Sequence, residues 1–177
     1  MSVSFYRRIW IGLGGLLALT GACAPKAIEM EPMVFQLDDE DQTIRMNTLE
    51  PEALFAEGRV AFRQERYKDS AVAFELFVKE FPGDKRYRNA LYNAGLSRER
   101  LEQWRQALLH YNAYLMTAST EQEKTDGRFR RVMCYLGLED GPGVLSAVDA
   151  LKELNLSPLD GAEASALEGR GYELSGD

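Results

Sequence analysis

The feature that most constrains this 177-residue chain is a pattern that returns after 37 residues. The stretch from Leu54 to Pro82 reappears further along with the same residue classes at the same spacing. The matched pairs are Gly58 with Gly95, Tyr67 with Trp104, Ser70 with Ala107, Phe74 with Tyr111, and Phe77 with Tyr114. Self-similarity with a period of roughly 20 to 50 residues is typical of repeat proteins, in which each unit buries its apolar face against its neighbours. The sequence therefore predicts an array of similar structural units.

Each unit reads as two amphipathic helices. In the first unit, apolar residues recur at spacings of three and four, which places them on one face of a helix. These residues are Leu54, Phe55, Gly58, Ala61 and Phe62 in the first helix, and Ala71, Phe74, Phe77, Val78 and Phe81 in the second. Pro51 suits a first helical turn, and Pro82-Gly83 stops the second helix. The unit is predicted to be a helix–turn–helix with its turn just before Tyr67.

This pattern resembles the tetratricopeptide repeat (TPR), a helix–turn–helix of about 34 residues. With Pro51 as motif position one, Gly58, Tyr67, Ser70, Phe74 and Pro82 match its small, aromatic and proline positions. The further matches are Gly95, Trp104, Ala107, Tyr111 and Tyr114 in a second repeat; Cys134, Gly143, Ser146 and Ala150 in a third, counted back from Pro158; and Gly169 and Tyr172 in a half repeat. The resemblance implies an all-α TPR solenoid with repeats near 51–84, 88–121 and 127–160 and a half repeat at 162–177. The half repeat is either a capping helix or the start of a unit that continues in the native gene.

The N-terminus has the layout of a bacterial export signal. Arg7 and Arg8 are followed by an apolar run from Ile9 to Leu19. This run is shorter than the roughly 20 residues that a membrane-spanning helix needs, but it suits the core of a signal peptide. We predict a signal peptide over residues 1–22.

The residues Leu19-Thr20-Gly21-Ala22-Cys23 resemble a lipobox, although Thr20 stands where that family usually has a branched aliphatic residue. The resemblance implies a lipoprotein: cleavage before Cys23 and acylation of Cys23 with palmitate-type chains. Because Ala24 rather than aspartate follows the cysteine, it also implies the outer membrane, facing the periplasm. An ordinary secretory signal and an uncleaved anchor are the alternatives.

Residues 23–50 are predicted to be the lipidated N-terminus and a flexible acidic linker. Pro25 and Pro32 interrupt this stretch, and Asp38-Asp39-Glu40-Asp41 form an acidic run. Calcium binding is rejected, because the glycine and terminal glutamate of an EF-hand loop are missing.

Composition argues against several function classes. A net charge of −7 disfavours a nucleic-acid partner. The single histidine, His110, is interpreted as a solvated surface residue, and Cys134 as a buried, inert thiol. No residues form a catalytic, cofactor or metal pattern, so the chain is predicted to be a binding protein and not an enzyme.

The TPR resemblance places a binding groove on the first helix of each repeat. The residues predicted to line it are Phe55, Arg59, Phe62, Arg63, Tyr92, Arg100, Arg128, Arg131 and Tyr135. Arginine grips carboxylates and tyrosine supplies stiff contact area. We therefore expect an acidic or C-terminal segment of a partner protein to bind here; the alternative is an ordinary solvated lining.

The spacing FxxFxxxFP followed by NALYNAG is similar to two envelope proteins: the TPR lipoprotein of the outer-membrane β-barrel assembly machinery and the TPR protein associated with the Tol–Pal system. The similarity implies a scaffold that binds partner proteins during envelope or outer-membrane protein assembly. The alternatives are a pilotin-like or motility-complex assembly lipoprotein, and an accessory regulator of peptidoglycan enzymes.

Overall fold

A computed structural model describes residues 33–37, 44–48 and 50–176. The predicted signal peptide, the lipidation site Cys23 and the acidic run at residues 38–41 lie outside the described residues.

The predicted flexible linker contains a β-hairpin. Strand β1 (Met33–Leu37) pairs antiparallel with strand β2 (Ile44–Thr48), with Met33 opposite Thr48 and Leu37 opposite Ile44. The sequence of β2 alternates apolar and polar residues, which is the period of a strand. The sequence-based prediction of a flexible acidic linker did not include these two strands.

From Pro51 to Gly176 the described chain forms seven helices. They are α1 (Pro51–Arg63), α2 (Tyr67–Glu80), α3 (Tyr87–Arg100), α4 (Trp104–Thr117), α5 (Glu121–Gly137), α6 (Gly141–Lys152) and α7 (Pro158–Ser175). Consecutive helices pack against each other along the array. This architecture confirms the predicted all-α helix–turn–helix solenoid. None of the described helices is both long enough and apolar enough to cross a bilayer.

The turns that follow the first helix of each repeat share one backbone conformation. Glu65, Glu102, Glu139 and Gly176 all have positive φ, between 55° and 80°, and they follow one another at intervals of 37 residues. Three of them are glutamates held in the left-handed region, which non-glycine residues seldom adopt. The 37-residue period thus extends through the whole array.

This period corrects the predicted third repeat. Counting from Pro158 put Cys134 and Gly143 at the small and aromatic positions, but α6 begins at Gly141, two residues earlier. The residues that enter the core of this repeat are Val132, Val144, Val148 and Leu151, whereas Ser146 is exposed. The third repeat therefore starts two residues before the predicted position.

Glycines in the first helices allow close contact with aromatic rings of the second helices. A Cβ at Gly58 would lie 2.9 Å from the ring of Phe74, and one at Gly95 would lie 2.7 Å from the ring of Tyr111. Both rings are fully buried. The sequence-based reading of these aromatics as packing residues is confirmed.

Small residues also lie between neighbouring repeats, where they allow the helices to approach closely. Ser97 is buried in α3, and its hydroxyl lies 2.9 Å from that of Ser70, which donates to the Gly58 carbonyl at 2.9 Å. The equivalent residues further along are Cys134 and Gly171, both buried. Close approach at these positions stacks the helix pairs and aligns the first helices side by side.

Candidate functional site: a groove lined by three repeats

An open groove of about 360 Å³ is lined mainly by the first helices of three successive repeats. Its lining residues are Phe55 and Arg59 from α1, Asn89, Tyr92 and Asn93 from α3, Tyr114 from α4 and Asp126 from α5. Residues three or four apart on a helix share one face, so each helix contributes a short run of neighbouring side chains. The groove includes three predicted residues: Phe55, Arg59 and Tyr92.

The aromatic residues of the groove rest on buried rings. The Phe55 ring meets the rings of Phe74 and Phe77 edge-on, with centroids 5.4 and 5.3 Å away. The Tyr92 ring lies 5.1 Å from that of Tyr114 and 5.8 Å from that of Tyr111. Contacts of this kind add to the area that each ring buries. The floor of the groove is consequently packed against the core of the first two repeats.

The polar groups differ along the groove. Arg59 is exposed and forms no ion pair with any residue that the structure describes. In the middle, the Asn93 amide donates to the Asn89 carbonyl at 2.7 Å, which leaves the Asn93 side-chain oxygen able to accept. Asp126 contributes a carboxylate from α5 and accepts a hydrogen bond from Gln122 at 2.9 Å. The groove thus carries a cation on the first repeat and an anion on the third.

A hydrogen-bond network that includes Tyr92 ties α3 to α5. Glu99 accepts from the Tyr111 hydroxyl at 2.7 Å and from Arg130 at 2.9 Å, and Arg130 also donates to the Tyr92 hydroxyl at 3.3 Å. Burial, reinforced by the Glu99 charge, raises the pKa of Tyr111 well above its usual value. Tyr111 therefore stays a neutral donor, and the network fixes the spacing of the second and third repeats.

Sequence reasoning missed Arg130, Asn93, Tyr114 and Asp126. Arg130 and Asn93 are 37 residues apart, so they occupy equivalent positions in successive repeats. Applying the 37-residue period to the third repeat would have found Asp126 as the counterpart of Asn89. Tyr114 was assigned to the core, and its ring is in fact buried while its edge reaches the groove.

Phe62, Arg63 and Arg100 lie away from these lining residues, at the turn end of the first helices. The Arg100 guanidinium lies 5.8 Å from the centroids of the Phe62 and Tyr67 rings and donates to the Tyr67 hydroxyl at 3.3 Å. Arg63 is exposed at the last turn of α1. Phe62 and Arg100 thus connect the first two repeats.

The three predicted residues of the third repeat are also outside the lining. Arg128 donates to the Ala150 carbonyl at the end of α6, Arg131 is half-buried, and Tyr135 packs beside Gly143 at the start of α6. The two-residue error in the register explains this placement, because the true counterpart of Tyr92 is Phe129. The structure does not bring these three residues together with Arg59.

His110 was interpreted as a solvated histidine, but its side chain is only 18% exposed and lies 2.9 Å from Glu75. Arg98 forms a two-pronged contact with the same carboxylate, with both distances 2.6 Å. Burial alone would raise the pKa of Glu75, but the hydrogen bonds from His110 and Arg98 outweigh it and lower the pKa to about 2. This cluster joins α2, α3 and α4.

Cys134 is fully buried, as predicted, and burial raises its pKa to about 12. A thiol that stays protonated is a poor nucleophile and a poor metal ligand. Among the described residues, no group of three or more His, Cys, Asp or Glu side chains is arranged to hold a metal ion.

Comparison with known proteins gives structural neighbours only. No protein-family model and no curated protein matches the sequence. The TPR2B domain of yeast Sti1, solved in complex with pHsp70, superposes with a TM-score of 0.53 at 16% identity, covering 71% of this chain and 95% of the domain. PcrH, in complex with the chaperone-binding region of PopD, gives 0.53 at 21% identity, covering 71% and 90%. The CopN–Scc3 complex gives 0.54 at 19% identity, covering 66% of each chain. These likenesses establish the TPR fold.

Proposed function

We propose that the helical domain is a TPR scaffold whose groove binds an extended segment of a partner protein. The observation that carries this proposal is the groove itself, in which an aromatic floor lies beside Arg59, which forms no ion pair with any residue that the structure describes. Two of the structural neighbours support it, since PcrH was solved with a region of PopD and Sti1 TPR2B with pHsp70. The proposed role is one of binding partner proteins.

The groove chemistry favours a particular segment. The Tyr92 and Tyr114 rings offer an apolar surface for one side chain of the ligand. The Asn93 oxygen can accept from a backbone N–H, and the Arg59 fork suits a carboxylate. The segment that fits has an acidic residue or a C-terminal carboxylate near Arg59 and an apolar side chain over the tyrosines.

Site-specific photo-crosslinking tests this proposal. A benzophenone amino acid replaces Asn93 in the groove or, as the control, Lys68 on the exposed surface of α2. We expect a partner that crosslinks at residue 93 and not at residue 68. The crosslink should weaken when Arg59→Glu is added and persist when Arg105→Glu, a charge reversal on exposed α4 surface, is added instead. Equal capture at both positions would contradict the proposal.

We further propose that Cys23 is lipidated and anchors the protein to the outer membrane, with the helical domain in the periplasm. The support is the sequence Leu19-Thr20-Gly21-Ala22-Cys23 together with Ala24. Stable anchoring takes more than one acyl chain, which a lipoprotein cysteine supplies. Cys23→Ala should release the protein from sedimented membranes into the soluble periplasmic fraction, and continued sedimentation of that variant would refute the anchor.

The pathway proposed for this scaffold is envelope or outer-membrane protein assembly. A pilotin-like or motility-complex role and regulation of peptidoglycan enzymes are the alternatives. The residue-93 crosslink distinguishes them by the protein it captures: a β-barrel assembly or Tol–Pal component, a secretin, or a peptidoglycan synthase or hydrolase.

A further inference from the structure

The groove contains a carboxylate that no cation of the described residues neutralises. Asp126 of α5 lines the same open space as Arg59 of α1 and is half-buried. It accepts a hydrogen bond from the neutral Gln122 amide at 2.9 Å, which orients the carboxylate and leaves its charge in place. Among residues 50–176, Asp126 forms no ion pair. Its charge is therefore available to a ligand.

The cations near this part of the groove are already paired with other carboxylates. They come from α3 and α5, the two helices beside Asp126. Because each has an acidic partner, none of them is left to compensate Asp126, and a compensating cation has to come from the ligand. The pairs are Lys124 with Glu121, Arg88 with Glu123, and Arg130 with Glu99.

The neighbour of Asp126 in the sequence sets its carboxylate beside the aromatic floor. A Cβ at Gly127 would lie 2.7 Å from Leu115 and 3.0 Å from the Tyr114 ring, so glycine at this position lets α5 approach α4 closely. Burial raises the pKa of Tyr114 to about 12, and the charges of Glu123 and Asp126 add to the effect. A partly buried charge is screened less than one in open water, so Asp126 favours a cation more strongly than a fully exposed carboxylate does.

The opposite end of the groove is positive over more than one residue. Arg63 lies one turn beyond Arg59 on the same face of α1, and both are exposed. Arg100, at the position of Arg63 in the second repeat, contacts aromatic rings and a tyrosine hydroxyl. None of these three arginines forms an ion pair with a carboxylate of residues 50–176. The groove is thus polarised from the first repeat to the third.

We propose that the segment bound in this groove carries charges of both signs: an acidic group at Arg59, an apolar side chain on the Tyr92 and Tyr114 rings, and a lysine or arginine at Asp126. This inference rests on the proposed function of the groove and adds the basic residue to it. Helix α3, about 10 Å wide, lies between α1 and α5, so the two charges of an extended ligand are about three or more residues apart. A segment of one sign meets repulsion at one end, which makes the groove selective.

Selection from a random dodecapeptide library displayed on phage tests the charge pattern. With the full-length protein as bait, enriched peptides should combine an acidic residue, an apolar residue and a separated lysine or arginine. With Asp126→Lys as bait, the enrichment of basic residues should disappear. With Asp149→Lys, an equal charge reversal on the exposed surface of α6 in the same repeat, it should persist.

Fluorescence anisotropy with one selected peptide then measures the contact. Asp126→Lys should weaken binding about fivefold or more, because an attraction is replaced by a repulsion. Asp126→Asn, which can still accept from Gln122, should weaken it less, and Asp149→Lys should leave it unchanged. A peptide whose basic residue is replaced by glutamate should bind Asp126→Lys more tightly than it binds the parent. That exchange cannot arise from misfolding of the variant.

The proposal is overturned if the enriched peptides lack a basic residue, or if Asp126→Lys binds the selected peptide as the parent does. In either case, weaker binding by Arg59→Glu would leave the proposed function of the groove standing. Peptides that respond to neither Arg59→Glu nor Asp126→Lys bind elsewhere on the protein, and that result, like the absence of any enriched peptide, would overturn both proposals.

Discussion

At the scale of single residues, one glycine position has opposite consequences in different repeats. Gly95→Ala would bring a Cβ to 2.7 Å from the Tyr111 ring, which is fully buried and held by Glu99. We expect a loss of about 1–3 kcal/mol in the free energy of unfolding, the usual cost of overpacking. Gly169→Ala, in open space on α7, should instead gain about 0.5–1 kcal/mol from helix propensity. Urea denaturation of both variants measures the two changes.

Gly169→Ala thus serves as the control for Gly95→Ala, because both replace glycine by alanine at the same motif position. Two stabilising changes would mean that the Tyr111 ring moves aside without cost. Two destabilising changes would mean that α7 needs the glycine even in the isolated protein, which would point to a contact that the open surface does not have.

Glu75 provides a second residue-scale prediction, through pH. Its folded-state pKa of about 2 lies below the ordinary 4.5, so its stabilising contribution is fully present above about pH 4.5 and is lost as the pH falls toward 2. Glu75→Gln should cost about 2 kcal/mol at pH 7, in the range for hydrogen bonds to charged groups. The difference between variant and parent should shrink steadily below pH 4.5. A difference that is independent of pH would show that the carboxylate charge is not the stabilising feature.

At the scale of elements, the sequence predicted the first two helix pairs and lost the register of the third. In α5 and α6, Val132 and Gly141 replace the small and aromatic residues that mark the motif in the first two repeats. Cys134 and Gly143 have the same spacing two residues later, and they were assigned to these motif positions instead. Pro158 misled the count as well, because it begins α7 and does not end the preceding helix pair.

The sequence of α6 does contain a signal for the correct register of the third repeat. Val144, Val148 and Leu151 recur at spacings of three and four and mark the buried face of α6. The hairpin of β1 and β2 shows a different limit, since strands of five residues leave only a short alternating signal.

Helix caps give a prediction at this scale. Thr120 caps α5 by accepting from the Glu123 N–H, and Glu123 reaches back to the Thr120 N–H at 3.0 Å. Thr120→Ala should cost about 1 kcal/mol in global stability. Ser157 caps α7 at the equivalent position by accepting from the Asp160 N–H. Ser157→Ala should leave the main unfolding transition nearly unchanged, because α7 can fray while α5 is held between α4 and α6. Equal losses in thermal denaturation would contradict this difference.

For the whole molecule, the groove depends on three repeats being in the correct register, because its cation and anion lie on the first and third. The degraded motif of the third repeat explains why Asp126 and Arg130 were not predicted. Asn93 and Tyr114 were missed for a different reason: they belong to the clear second repeat, but the motif marks neither of them as a groove position. The motif of a single repeat predicts which face of each helix lines the groove. Which side chains from different repeats lie next to each other depends on how the repeats pack.

The array also predicts how stability is distributed. In a solenoid each helix is stabilised by its neighbours. Helix α3 lies between α2 and α4 and buries Ala90, Leu91, Ala94, Gly95 and Ser97, whereas α7 buries only Ala164 and Gly171. Amide hydrogen exchange should therefore show the smallest opening free energies in α7 and larger ones in α3, since local openings draw on regions with few buried contacts. Uniform exchange across α3 and α7 would contradict this gradient, because it would mean that the array unfolds as one cooperative unit.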